Sequence, residues 1–194
     1  MTTKKPTPAH IMLEHYIEGF RQSTDTSCGP ASVILAALGL GLDACQENYW
    51  QAECFAQWLP VHDFHKRGMA LHELGFLSEI IFARQLEVRY QRAYPANHAV
   101  FKDDIQRATK EQQTVVVVNF LQDDFVDINS KAKDGSPHYS PVMNSTSSHI
   151  LVADVDFNIT YPYWVHIEDM FNSMAKINPA YNLPRGWLVL RKVL

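Results

Sequence analysis

An α+β fold is what this sequence predicts, and three observations carry it. Segments with apolar residues at helical spacing fill the first half of the chain, while short β-branched or alternating runs fill the second. Nearly half of the 194 residues are apolar and both signs of charge are interspersed, the make-up of a globular chain long enough to bury a core without staples. Residues 1–194 are read as a single domain.

Taken in order, residues 1–27 look irregular, with a short strand around 12–20. A helix starts near Cys28. Pro30 suits its first turn, where a missing N–H costs nothing, Val33-Ile-Leu-Ala-Ala-Leu38 is apolar, and Gly39 and Gly41 offer a stop. Residues 47–65 are rich in aromatics (Tyr49, Trp50, Phe55, Trp58) and read as short helical pieces. Leu71, Leu74, Leu77 and Ile81 recur at helical spacing and predict a second helix. Residues 86–90 alternate as a strand does, and 103–110 read as a helix with a polar face. Val115-Val-Val-Val-Asn-Phe-Leu121 predicts a buried strand. A polar loop spans 123–137, further strands follow at 149–156, 163–167 and 186–191, and a helix runs from about Glu168 to Ala175.

Composition excludes several classes. The net charge of −4 and the lack of a basic stripe argue against a nucleic-acid footprint. No apolar run approaches the length of a membrane span. Lys4 and Lys5 are followed by Pro6-Thr-Pro-Ala-His10, which is not a secretory signal. The expected compartment is therefore the cytosol, with export by a specialised bacterial secretion system as the alternative. Three widely spaced cysteines form no disulfide framework. His62 and His65 flank Asp63 without a further ligand nearby, so no metal site is assigned.

The chemistry-bearing stretch is Gln22-Ser-Thr-Asp-Thr-Ser-Cys28-Gly-Pro. A cysteine at a helix start gains from the dipole, because unpaired first-turn N–H groups favour thiolate over thiol. A glutamine just upstream can place its amide where an oxyanion develops during acyl transfer. This is the arrangement of a papain-like cysteine enzyme: an N-terminal helical part whose nucleophile helix packs on a C-terminal antiparallel sheet. Cys45 and Cys54 read as core residues.

Of nine histidines, His10 and His15 (N-terminal segment), His72 (helix face) and His98 (turn) are set aside, and His138 and His149 are taken up as candidate bases. A base needs a group that orients its other ring nitrogen. Asp154 is the natural partner of His138 if the two lie on paired strands, and Asp169 would serve His149. Asp156 shares a face with Asp154 and competes with it. Spacing leaves these choices open.

The order Gln22…Cys28-Gly-Pro-Ala-Ser32, Arg67-Gly-Met-Ala-Leu-His-Glu-Leu74, Val118-Asn-Phe120, His138-Tyr-Ser-Pro141, Asp154-Val155, Tyr161-Pro162, Trp164-Val165 and Arg185-Gly-Trp187 resembles the catalytic domain of phytochelatin synthases. The resemblance runs from about Tyr16 to Leu190. It implies a papain-like fold acting on glutathione, in which the C-terminal glycine leaves through a γ-glutamylcysteinyl thioester and the acyl group passes to water or another glutathione. By position it makes Cys28 the nucleophile, His138 the base, Asp154 the orienter and Gln22 the oxyanion donor. Asn119 and Arg185 become candidate substrate contacts, with a solvated surface arginine as the plainer reading of Arg185.

Departures from the family pattern bear on substrate. Pro137 stands where the family has Gly, Val142-Met-Asn144 where it has small residues, and Gln122 where a basic residue is frequent. A glutamine cannot reproduce the fork by which arginine holds a carboxylate. Gln122 and the Val142-Met-Asn144 segment lead us to expect a poorer acceptor site. The cysteine-rich C-terminal region of the longer eukaryotic members does not occur in this sequence, so hydrolysis is expected over phytochelatin synthesis. The mechanism requires no cofactor, and stimulation by heavy metal ions such as cadmium or zinc stays open. Glutathione is the expected partner, with no nucleic acid and no membrane; oligomeric state is unassigned. The rival readings are a papain-like peptidase or acyltransferase acting on another peptide or protein, as a bacterial effector would, and a binding protein with a vestigial site.

Overall fold

A sheet of six antiparallel strands divides the core into two layers. The computed structural model describes residues 6–45, 47–126 and 135–193; Lys4, Lys5 and residues 127–134 of the polar loop lie outside them. The helices are α1 (Pro8–Ile17), α2 (Cys28–Gly39), α3 (Phe64–Arg67), α4 (Leu71–Ile81), α5 (His98–Lys110) and α6 (Ile167–Ala175). The strands are β1 (Leu86–Arg92), β2 (Thr114–Leu121), β3 (Pro137–Ser145), β4 (His149–Val152), β5 (Tyr163–His166), β6 (Ile177–Asn178), β7 (Leu183–Pro184) and β8 (Gly186–Lys192). The large sheet runs β1-β8-β2-β3-β4-β5, and β6 pairs with β7 separately.

The run of valines in β2 is buried on both faces, as an unbroken apolar strand requires. Its period of two sends Val115 and Val117 to one cluster with α1, α2 and α4, and Val116, Val118 and Phe120 to the other with α5 and α6. In β8, Leu188 and Leu190 split from Trp187 and Val189 in the same way. Gly186 starts β8 opposite Arg92. A side chain there would collide with the Gln91 carbonyl, so glycine lets β1 close on β8 beside Arg185.

Two segments depart from expectation. Residues 8–17 form a helix rather than a strand: the Thr7 hydroxyl accepts the His10 N–H at 3.2 Å and Pro8 occupies the first turn. Met12 and Tyr16, four apart, bury the same face. Residues 137–145 form the central strand β3, which the two prolines conceal because proline cannot donate to a ladder. Pro141 is tolerated because its carbonyl faces the end of β4, accepting the Ala153 N–H at 3.0 Å. Its missing donor would point the same way, beyond the last paired residues Val142 and Val152. The predicted strand at 149–156 is shorter, leaving the ladder after Val152 and before Asp154. His98 begins α5 rather than lying in a turn.

Candidate active site

Cys28 opens α2 at 9% exposure, the most enclosed of the three thiols. Cys45 is half-buried and Cys54 is exposed, so neither is the core residue the sequence led us to expect. The Ser27 hydroxyl does not cap α2. It accepts the Thr24 N–H and donates to the Thr24 carbonyl, both at 3.1 Å, which leaves the first-turn N–H groups uncapped around Cys28. Gln22 is buried just upstream. Its backbone N–H donates to the Val155 carbonyl at 2.8 Å, fastening the approach loop beside Asp154. Its side-chain nitrogen donates one hydrogen to Thr24 O at 2.9 Å; an amide carries two, so one remains.

His138 lies on β3 and Asp154 two residues beyond β4. His138 Nε2 donates to Asp154 Oδ1 at 2.7 Å, with the two side chains 5% and 0% exposed. With Nε2 so engaged, Nδ1 is the ring nitrogen left for Cys28, which is among the groups that raise the His138 pKa. Burial opposes charge on His138, but the Asp154 carboxylate, its hydrogen bond and Cys28 outweigh it and raise the pKa to about 10. Burial likewise opposes charge on Asp154. The His138 charge and hydrogen bonds from His138, Tyr163 and the Asp156 backbone overcome it and lower that pKa to about 2. The two shifts are one interaction seen from both ends. A thiol, an imidazole and a carboxylate in this order can move a proton from sulfur to nitrogen and hold the resulting cation.

Four donors converge on Asp154. Besides His138, Oδ1 accepts the Asp156 N–H at 3.0 Å, and Oδ2 accepts Tyr163 Oη at 2.6 Å and Gln122 Nε2 at 3.1 Å. Gln122 and Tyr163 were not legible as site residues. Gln122 is 2% exposed and spends its amide on Asp154, so it is not a substituted acceptor position. Nor do Val142 and Met143 crowd the cleft, since they pack into opposite faces of the sheet. The Asp156 carboxylate is occupied by the backbone and side chain of Asn158. His149 is exposed and meets Ser148 Oγ at 2.9 Å and the His166 ring, with centroids 5.0 Å apart.

A cleft of about 450 Å³ opens over Cys28, bordered by Arg67, Met69, Asn119, Tyr139, Tyr181 and Arg185. Asn119 Nδ2 donates to the His138 carbonyl at 3.0 Å, so it anchors the backbone of that residue as well as lining the cleft. Arg185 is 1% exposed rather than a solvated surface arginine. Its Nη1 donates to Lys176 O at 3.0 Å and its Nε has no partner. Among the described residues no carboxylate forms an ion pair with it. Burial lowers its pKa. A buried guanidinium without an acid is costly, and this residue borders a cavity able to hold one. Among the described residues no cluster of three potential metal ligands occurs, and no helix is long and apolar enough to cross a membrane.

This architecture has known counterparts. The peptidase domain of Streptococcus ComA, a bifunctional ABC transporter involved in quorum sensing, superposes with a TM-score of 0.52 at 15% identity over 89% of this chain and 98% of that one. That similarity places the fold in the papain-like class. The glutathione γ-glutamylcysteinyltransferase of Schizosaccharomyces pombe is 25% identical over 131 residues, 66% of this chain but 29% of the yeast protein. The family model for phytochelatin synthase matches residues 5–187. By that match over nearly its whole length, the chain belongs to the phytochelatin synthase family.

Proposed function

We infer that the protein cleaves the Cys–Gly bond of glutathione through a γ-glutamylcysteinyl thioester on Cys28 and passes the acyl group chiefly to water. The observation that carries this reading is the buried series Cys28–His138–Asp154 beside an arginine that lacks an acid. The Asp154 carboxylate favours the charged form of His138, so the imidazole is suited to take the thiol's proton. The thiolate attacks the Cys–Gly carbonyl carbon. The Cys28 N–H and the remaining Gln22 hydrogen receive the oxyanion, and His138 returns the proton to the departing glycine amine. Water then enters, gives a proton to His138 and releases γ-Glu-Cys. Asp154 keeps the imidazole oriented throughout. No step requires a cofactor.

Arg185 fits the α-carboxylate of the γ-glutamyl end, which stays in the cleft through both half-reactions. Losing a buried charge-assisted hydrogen bond weakens binding by roughly tenfold or more. Arg185→Met is therefore expected to raise the KM for glutathione by at least about tenfold with a smaller effect on kcat. A rise confined to kcat would remove Arg185 from substrate recognition.

Among the described residues that line the cleft, Arg185 is the cation without an acidic partner. A second glutathione thus has little to hold it against water at the thioester, and an ordered acceptor is what transfer requires. Incubation with millimolar glutathione should release glycine and γ-Glu-Cys, with longer (γ-Glu-Cys)n-Gly products minor. Mass spectrometry with and without cadmium or zinc reads the outcome. Abundant oligomers would overturn the preference for water, and no glycine release from folded protein would favour a peptide or protein substrate instead.

A further inference from the structure

Arg67 and Tyr181 meet across the catalytic cleft. Arg67 ends α3 on one wall, and Tyr181 lies between β6 and β7 on the other. Arg67 Nη1 donates to the Tyr181 hydroxyl at 2.7 Å, and the Tyr181 ring stands edge-on to His72 with centroids 5.8 Å apart. The remainder of the guanidinium is fixed. Nη2 donates to Glu73 Oε1 at 2.7 Å and Nη1 to Glu73 Oε2 at 2.9 Å. Glu73 is buried and also accepts the Ala70 N–H at 2.7 Å. Glu73 therefore locks Arg67 in place, whereas the phenol is a neutral and weaker acceptor. A carboxylate arriving from the cleft makes a charge-assisted hydrogen bond about twice as strong. Nη1 also reaches the neighbouring Gly68 carbonyl at 3.2 Å; of these two neutral acceptors, the Tyr181 hydroxyl is the one that a cleft carboxylate can replace.

We propose that Arg67 recognises the carboxylate of the departing glycine by exchanging Tyr181 for it, which makes the enzyme selective for peptides that end one residue after the cysteine. This rests on the glutathione reading above and extends it to the other end of the substrate. Glutathione carries two carboxylates and the cleft has two arginines of different character. Arg185 is enclosed and suits the end that remains on the enzyme. The Arg67 side chain is 34% exposed, at the mouth through which a leaving group departs. Because Glu73 already balances its charge, Arg67 holds a carboxylate by directed hydrogen bonds and releases it readily.

The same site governs the acceptor. Glycine and the γ-glutamyl end of a second glutathione share one unit, an amine with a carboxylate on the adjacent carbon. In transfer that amine attacks the thioester carbonyl: a C–N bond forms, the C–S bond breaks, the sulfur keeps its electron pair and the amine's proton passes to His138. With Tyr181 resting on Arg67 the incoming unit is poorly held, and water reacts instead.

The test compares glutathione with its glycinamide analogue, whose C-terminus is neutral, in the wild type, in Tyr181→Phe and in the charge-neutral double variant Arg67→Gln/Glu73→Gln. For the wild type, kcat/KM on the acid should exceed that on the amide by at least about tenfold, the scale of a lost charge-assisted hydrogen bond. That ratio should collapse toward one in the double variant. Tyr181→Phe removes the competitor while keeping the ring against His72, so it should lower the KM for glutathione several-fold and raise the share of transfer product. Equal wild-type rates on acid and amide, an unchanged ratio in the double variant, or a raised KM in Tyr181→Phe would each overturn the proposal while glycine release keeps the glutathione reading intact. Should the double variant not fold, the amide comparison and Tyr181→Phe decide the matter. No glycine release from glutathione by folded wild type would overturn both.

Discussion

His138→Ala should lower glycine release from glutathione by roughly a thousandfold or more, the loss seen when one member of a nucleophile–base–carboxylate series is removed. His149→Ala should leave activity close to that of the parent. The contrast follows from position. His138 is buried, bonded to Asp154 and acted on by Cys28, whereas His149 is exposed and bonded to Ser148. Steady-state glycine assays on both variants, each checked for native near-UV dichroism, measure the difference. If His149→Ala were the inactive variant, the base would be reassigned and the chemistry moved away from the cleft.

Asp154→Ala should cost both activity and stability. Turnover should fall by about 10²- to 10⁴-fold, because the imidazole loses its orientation and the support for its charge. Stability should fall by about 3–5 kcal/mol, since His138, Tyr163 and Gln122 lose their common acceptor in a site that excludes water. Asp154→Asn tests the charge separately through pH. The depressed Asp154 pKa contributes stability that is present above its ordinary value of 3.8 and lost as pH falls through about 2. The raised His138 pKa contributes stability that is present below 6.5 and lost as pH rises through about 10. Both describe the same ion pair and are counted once. Urea unfolding of the wild type should therefore show greatest stability between these windows, and Asp154→Asn should flatten both flanks relative to it. Parallel pH profiles for the two proteins would show that this pair does not set the dependence.

Much of the local structure was legible in the sequence because its signals lie within a few residues of each other. Pro30, the apolar run after it and Gly39 mark α2 from end to end, and the valines of β2 announce a strand buried on both faces. The resemblance to one family preferred His138 to His149, a choice that spacing left open. Where local signals conflicted, reading failed. Prolines hid β3, because a ladder tolerates Pro141 only through where β4 ends. Met12 and Tyr16, read as part of a short strand at 12–20, instead pair on one face of α1.

The partners of polar side chains were decided only by tertiary structure. Gln122, read as a deficient acceptor site, is 32 residues from the Asp154 carboxylate that it supports. Arg185 reads from the sequence either as a substrate contact or as a solvated surface arginine, and its enclosure at the cleft excludes the second. Arg67 meets Tyr181 across 114 residues of chain. The sequence by itself determined the helix that presents Cys28, the strands beneath it and the residue types able to perform acyl transfer. Which carboxylate faces which cation, and which charge is left for a ligand, was decided by the folded chain. Helical and strand periods act over one or two turns of backbone, whereas the strength of an ion pair depends on burial and distance, which exist only once remote segments have packed.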